Sequence, residues 1–441
     1  MIEKDQRMPR RMWYAAAAGM ALAGAVGVAA ATGPTGWIRE PVPAAPSGSR
    51  IRDLDIEFYR ARVARDPRSA RDFTQLAGLY LQRARETADN EDLVRAEETA
   101  RHSLSLRRGR NDEARGVLAS SLLGQHRFAE ALEVARGLLA ADSTSIAARG
   151  LVAETELELG RYDEAGRQLG MLASYQGDLG VAPRLARWAE LRGRPEEARR
   201  LLRQASEAAR RRHGMPREQV AWFHLRLGDL ALRAGQLDDA ERELEAGLEI
   251  LPGDYRLLGA QARLYAVRHD WRRAADIGEL ALSRALDPAT LGLLHDAWTA
   301  LGDTAKAEAY YRAMAVAVLR QPGSYHRAWS LFLLDHDREV ARVLGNVESE
   351  LRTRRDIYGY DLLAWALHKS GRDAEARAPM ARALSLGTRD AMLFFHAGMI
   401  DRSLGDSASA RARLETALAI NPSWHPWQPA EARAVLDSFT R

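Results

Sequence analysis

Hydrophobic and polar residues divide the chain into three regimes. Met12 to Thr32 form a run without one charged residue, MWYAAAAGMALAGAVGVAAAT, rich in Ala and Gly. Residues 33–50, GPTGWIREPVPAAPSGSR, are dense in Pro, Gly and Ser and predict an extended, semi-rigid linker. The remainder reads as charged helices broken by short turns, and small residues recur in it at a fixed spacing. Ala96, Ala131, Ala165, Ala198, Ala240, Ala274, Ala307, Ala341, Ala376 and Ala410 follow one another at intervals of 35, 34, 33, 42, 34, 33, 34, 35 and 34 residues. All but one interval lies within one residue of about 34, so the chain repeats a single structural unit.

Twelve positions before these alanines stand Ala119, Ala153, Ala186, Gly228, Ala262, Ala364 and Gly398, with His295 and Trp329 as exceptions. Two small residues at that separation let the two helices of a hairpin, A and B, approach closely. Gly160, Gly193, Gly235, Gly302, Gly371 and Gly405 fall between them, where a left-handed residue closes helix A. No such hairpin can bury its own apolar stripe, so the units must stack and share one core. The spacing also marks its own irregularities. The first unit has extra residues between its helices around RETADNED, Ala77 to Ala96 spanning nineteen positions. The 42-residue interval places an excess near AARRRHGMPREQ, lengthening a helix or a loop between the fourth and fifth units. The eighth, HRAWSLFLLDHDREVARVLGNVESEL, is degenerate.

The segment LRLGDLALRAGQLDDAERELEAGLEILPGD sets Leu227-Gly228, Gly235, Ala240, Leu244 and Pro252 in order, and FFHAGMIDRSLGDSASARARLETALAINP repeats this with Ala397-Gly398, Gly405, Ala410, Leu414 and Pro422. In these positions the chain resembles the tetratricopeptide repeat family, over roughly residues 70–424. The resemblance implies an all-α, right-handed superhelical solenoid of about ten helix hairpins. It also implies a concave groove, lined by the A helices, that receives extended peptides or helices of partner proteins. The family's groove-facing positions map here onto Arg187, Asp229, Arg263, Asp296, Trp365, His368 and Arg402. Charges of both signs at those positions favour a zwitterionic peptide over a uniformly charged polymer. The Lys, Arg and Asn cluster with which one subgroup of the family clamps a terminal carboxylate has no counterpart in this sequence.

Five segments follow. Residues 1–32 form a basic N-terminus plus a hydrophobic helix, 33–50 the linker, 51–69 a capping helix, 70–424 the array and 425–441 a closing helix. Lys4, Arg7, Arg10 and Arg11 precede the uncharged run, which is about long enough to span a bilayer. Two readings stay open: an uncleaved signal anchor, or a signal peptide cut after the small-x-small pair Ala29 and Ala31. Both keep the N-terminus in the cytoplasm and place the repeats in the bacterial cell envelope, outside the cytoplasm.

Composition narrows the chemistry. The 64 Lys and Arg are balanced by 60 Asp and Glu, leaving +4, with no cationic stripe of the kind nucleic acids need. Cysteine is absent, so disulfides and thiolate metal sites are excluded. No phosphate loop, zinc-helix motif, nucleophile elbow or dinucleotide fingerprint occurs, so neither an enzyme, a cofactor nor a small-molecule substrate is inferred. His326 and His336, with Asp335 and Asp337 nearby, come nearest to a metal cluster, but their spacing suits polar positions at helix ends better. Trp271, Trp298 and Trp329 sit where the repeat buries residues, and Trp424 and Trp427 are expected to cover the last unit. The function so implied is a membrane-tethered or exported scaffold for partner proteins. The alternative is an accessory or regulatory subunit of an envelope enzyme or secretion complex.

Overall fold

Nine of the ten recurring alanines are buried between paired helices, none more than 2 % exposed. In this computed structural model, which describes residues 48–319 and 327–439, every regular element is helical. After α1 (Gly48–Arg65), ten hairpins follow. They are α2 (Ala70–Thr87) with α3 (Asn90–Leu106), α4 (Asp112–Gly124) with α5 (Phe128–Ala141), and α6 (Ile146–Glu158) with α7 (Tyr162–Leu172). Next come α8 (Ala182–Leu191) with α9 (Pro195–Arg211), α10 (Arg217–Arg233) with α11 (Leu237–Ile250), and α12 (Tyr255–Val267) with α13 (Trp271–Leu282). The series ends with α14 (Pro288–Ala300) and α15 (Thr304–Leu319), α16 (Arg327–Asp335) and α17 (Val340–Glu350), α18 (Ile357–Lys369) and α19 (Asp373–Ala383), and α20 (Ala391–Ser403) and α21 (Ser407–Ile420). The helix α22 (Gln428–Ser438) closes the chain. The uncharged run Met12–Thr32 and His326 lie outside the described residues. No helix among the described residues is long and apolar enough to cross a membrane.

Local chemistry sets the helix ends. Aspartates start many A helices: Asp254 accepts from the backbone N–H of Arg256 and Leu257, Asp356 from Tyr358 and Gly359, and Asp390 from Met392. Each such cap satisfies an orphan donor and contributes about 1 kcal/mol. Inside a hairpin, the missing side chain of Gly228 lets Leu244 of α11 lie against α10, where an added Cβ would stand 2.8 Å from a Leu244 methyl.

Three expectations need correction or resolution. In the first unit the extra residues do not form a loop; α2 and α3 are each longer and only Ala88 and Asp89 join them. The 42-residue interval likewise goes into helix, lengthening α9 and α10 to 17 residues each. Ala341 is exposed, and Val343, Leu344 and Val347 face inward instead. Asp337 and Glu339 are both left-handed, at φ 53° and 51°, and this double reversal rotates the start of α17 out of the phase of the other B helices.

The array also turns back on itself, so that units three to five meet units nine, ten and the residues after α21. Arg355 N–H donates to Leu159 O (3.1 Å), the Thr388 hydroxyl to Leu191 O (2.5 Å) and the Asn421 amide to Leu232 O (2.9 Å). These carbonyls belong to the C-terminal turns of α6, α8 and α10, where no intrahelical donor remains. The approach is tight enough to require glycine. A Cβ on Gly160 would stand 2.2 Å from Arg355 O, and one on Gly193 2.2 Å from Gly387 O.

Candidate peptide-binding chamber

Because A helices line the inside of the turn, their exposed faces look across a confined space at α18 and α20 rather than into open solvent. Between units three to five and α18 lies a cavity of about 480 Å³ whose lining includes four arginines, Arg184, Arg187, Arg226 and Arg233, against two glutamates, Glu154 and Glu190. Trp222 and Tyr358 supply its flat apolar surface. A smaller space of about 200 Å³ continues from it past Arg233 to Asp229, Arg263, Arg327 and Trp424.

The charges are tied in chains. Arg184 meets Glu154 at 2.5 Å, and Arg187 pairs with Glu158, which Arg354 also reaches at 3.4 Å. Glu190 accepts from Arg226 (3.2 Å) and is ion-paired with Arg233 (3.0 Å), and the Arg233 guanidinium donates to the Tyr358 hydroxyl at 3.3 Å. Asp229 is shared by Arg226 (3.3 Å) and Arg263 (2.5 Å). Burial opposes the charge of Asp229, but Arg263, Arg226 and Arg233 together hold its carboxyl below the usual range. Glu190 holds Arg233 firmly protonated against desolvation. Burial pushes the Tyr358 phenol up, so it stays a neutral hydrogen-bonding group. With more guanidinium than carboxylate in a partly desolvated space, the chamber has donors to spare for a guest carboxylate.

Of the seven residues mapped from the sequence, Arg187, Asp229 and Arg263 line these connected spaces. Arg402 is exposed on α20 and lines neither. Asp296 is drawn into a separate cluster with His295 and His336. Trp365, mapped to the groove, is buried, stacked on His368 and His396 at 4.8 and 4.1 Å, with its indole N–H on Asp335 (2.9 Å). His368 is turned toward Asp373. Sequence reasoning missed Arg184, Glu190, Arg226 and Arg233, which stand about one helical turn from the mapped positions on the same helices and were signalled by helical spacing alone. Trp298 and Trp329 are buried, whereas Trp271 is half-buried. Trp427, expected over the last unit, stacks instead on Trp271 of the sixth unit, ring centroids 6.1 Å apart.

Two tetratricopeptide repeat family profiles match the chain, over residues 122–187 and 178–253. No curated protein matches it. Among solved structures it is similar to the APC/C hetero-tetramer Cut9-Hcn1, at 13 % identity over 89 % of this chain and 94 % of that one, TM-score 0.35. It is similar to a tetratricopeptide repeat protein from Parabacteroides merdae, at 17 % identity over 58 % and 97 %, TM-score 0.40. It is also similar to PilW, described as a type IV pilus biogenesis factor, at 20 % identity over 51 % and 99 %, TM-score 0.40.

Proposed function

Since the chain belongs to the tetratricopeptide repeat family, we propose that it is a protein-interaction scaffold whose inner chamber holds a carboxylate-bearing, extended segment of a partner protein. The observation that carries this reading is the excess of arginine in a space walled by Trp222 and Tyr358. A guest carboxylate would take a bidentate place beside Arg226 or Arg187, and its backbone would lie across the indole and phenol faces. Mixed signs along the chamber reject a uniformly charged polymer, which would meet like charge at part of the lining.

Crosslinking followed by mass spectrometry identifies the captured segment, and its affinity is then compared with that of the double variant Arg187→Gln, Arg226→Gln. Capture should weaken at least tenfold while circular dichroism stays helical, and the wild-type affinity should fall with added salt. Capture unaltered by the double variant removes the chamber from consideration. As part of the same proposal, residues 12–32 tether or export the array so that it works outside the cytoplasm. The mass of the mature N-terminus separates an intact anchor from a chain cleaved after Ala31.

A further inference from the structure

Two histidines and an aspartate from neighbouring A helices converge away from the arginine chamber. His295 and Asp296 come from α14, and His336 directly follows α16. Asp296 Oδ1 is 3.0 Å from His295 Nδ1 and 2.9 Å from His336 Nε2, and the three ligand atoms lie within 4.8 Å of one another. In a tetrahedral shell two donors about 2.1 Å from one ion stand about 3.4 Å apart, so each carboxylate contact must open by about half an ångström while the two imidazole nitrogens, within 4.8 Å, draw onto the same ion.

The orientation of His336 makes the case. Its Nδ1 is 2.8 Å from the carbonyl oxygen of Phe332, which accepts only from an N–H. With that proton on Nδ1, the neutral ring presents a bare lone pair from Nε2, aimed at a carboxylate oxygen 2.9 Å away. Two acceptors face each other there unless a cation stands between them. A backbone carbonyl on one ring nitrogen and an open lone pair on the other is the usual posture of a metal-bound imidazole. The surroundings fit as well. Phe332 stacks on His336 with centroids 4.2 Å apart and meets the edge of His295 at 5.0 Å, which fixes both rings and limits water.

We propose that His295, Asp296 and His336 bind one divalent transition-metal ion of the zinc class, with the fourth position open to a water or a guest donor. Two imidazoles and a carboxylate select such an ion over calcium or magnesium, which prefer all-oxygen shells. Bound there, the ion joins the seventh unit to the eighth.

The test uses the full chain, free of any affinity tag and stripped with a chelator. It is titrated with cobalt(II), followed by visible absorption, and then with zinc(II) in competition. One equivalent should bind, with a micromolar or tighter zinc dissociation constant, and the imidazole ¹⁵N signals of His295 and His336 should move together. Asp296→Asn and His336→Gln should each weaken zinc at least tenfold. The alternative occupant of the gap is a proton, making His336 an imidazolium on Asp296. In that case the stripped wild-type chain binds no stoichiometric metal and its imidazole signals stay fixed under zinc, which overturns the proposal without relying on any variant. Wild-type affinity in both Asp296→Asn and His336→Gln overturns it equally.

Discussion

At the turn that closes each A helix one residue must take a left-handed conformation, whatever its type. Glycine fills the place at Gly160, Gly193, Gly235, Gly302, Gly371 and Gly405, all between φ 70° and 85°. His126, His269 and Asp337 occupy the same place in the second, sixth and eighth units at φ 59°, 60° and 53°. A side chain in that conformation costs about 1–2 kcal/mol, and glycine gives back roughly 0.5–1 kcal/mol through the freer unfolded chain. His269→Gly is therefore expected to stabilise the fold by about 0.5–1 kcal/mol, seen as a higher urea midpoint, since among the described residues its imidazole has only an edge contact with Trp271 at 5.7 Å to lose. A midpoint that falls would mean the His269 ring holds the turn more tightly than the backbone strains it.

At the scale of the hairpin, the small residues are what allow two helices to share a core. Ala240 has no exposed surface, and its carbonyl would lie 3.7 Å from a Cβ placed on Gly228. Ala240→Leu should force α10 and α11 apart at a cost of about 1–3 kcal/mol, with faster amide exchange confined to that pair. Ala341→Leu, at the nominally equivalent but exposed position, should stay within about 0.5 kcal/mol of wild type. This contrast also shows where the sequence is transparent. Alanine recurrence reports a contact made again and again, so all ten hairpins could be read from it. The eighth unit departs because Asp337 and Glu339, two ordinary-looking polar residues, reverse the backbone twice, and nothing in their identity announces a left-handed pair. The chamber was half legible for a related reason. Repeat register placed Arg187, Asp229 and Arg263 on inner faces, but Trp365 and Asp296 answer to Asp335 and His336, whose positions follow from how neighbouring A helices pack.

At the scale of the whole array, the contact between successive turns decides whether the inner space is an open groove or a chamber. It joins residues nearly 200 positions apart, such as Leu191 and Thr388, a separation far longer than one repeat, so the 34-residue period alone does not reveal it. Glycines permit the test. Gly193 and Gly302 do the same local job at φ 70° and 85°, yet nothing lies within 4 Å of a Cβ on Gly302, whereas one on Gly193 would strike the backbone oxygen of Gly387 at 2.2 Å. Both Gly→Ala changes carry the left-handed strain, about 1–2 kcal/mol. Gly193→Ala alone must also push α18 and α20 away from α8, breaking the Thr388 bond to Leu191 and widening the space between Arg187 and Tyr358. Small-angle scattering should therefore show a larger radius of gyration for Gly193→Ala and an unchanged one for Gly302→Ala, at similar helix content. If the two variants scatter alike, the turns are not held by this seam. If only Gly193→Ala expands, the affinity of the captured segment in that variant reports whether closure of the chamber contributes to holding it.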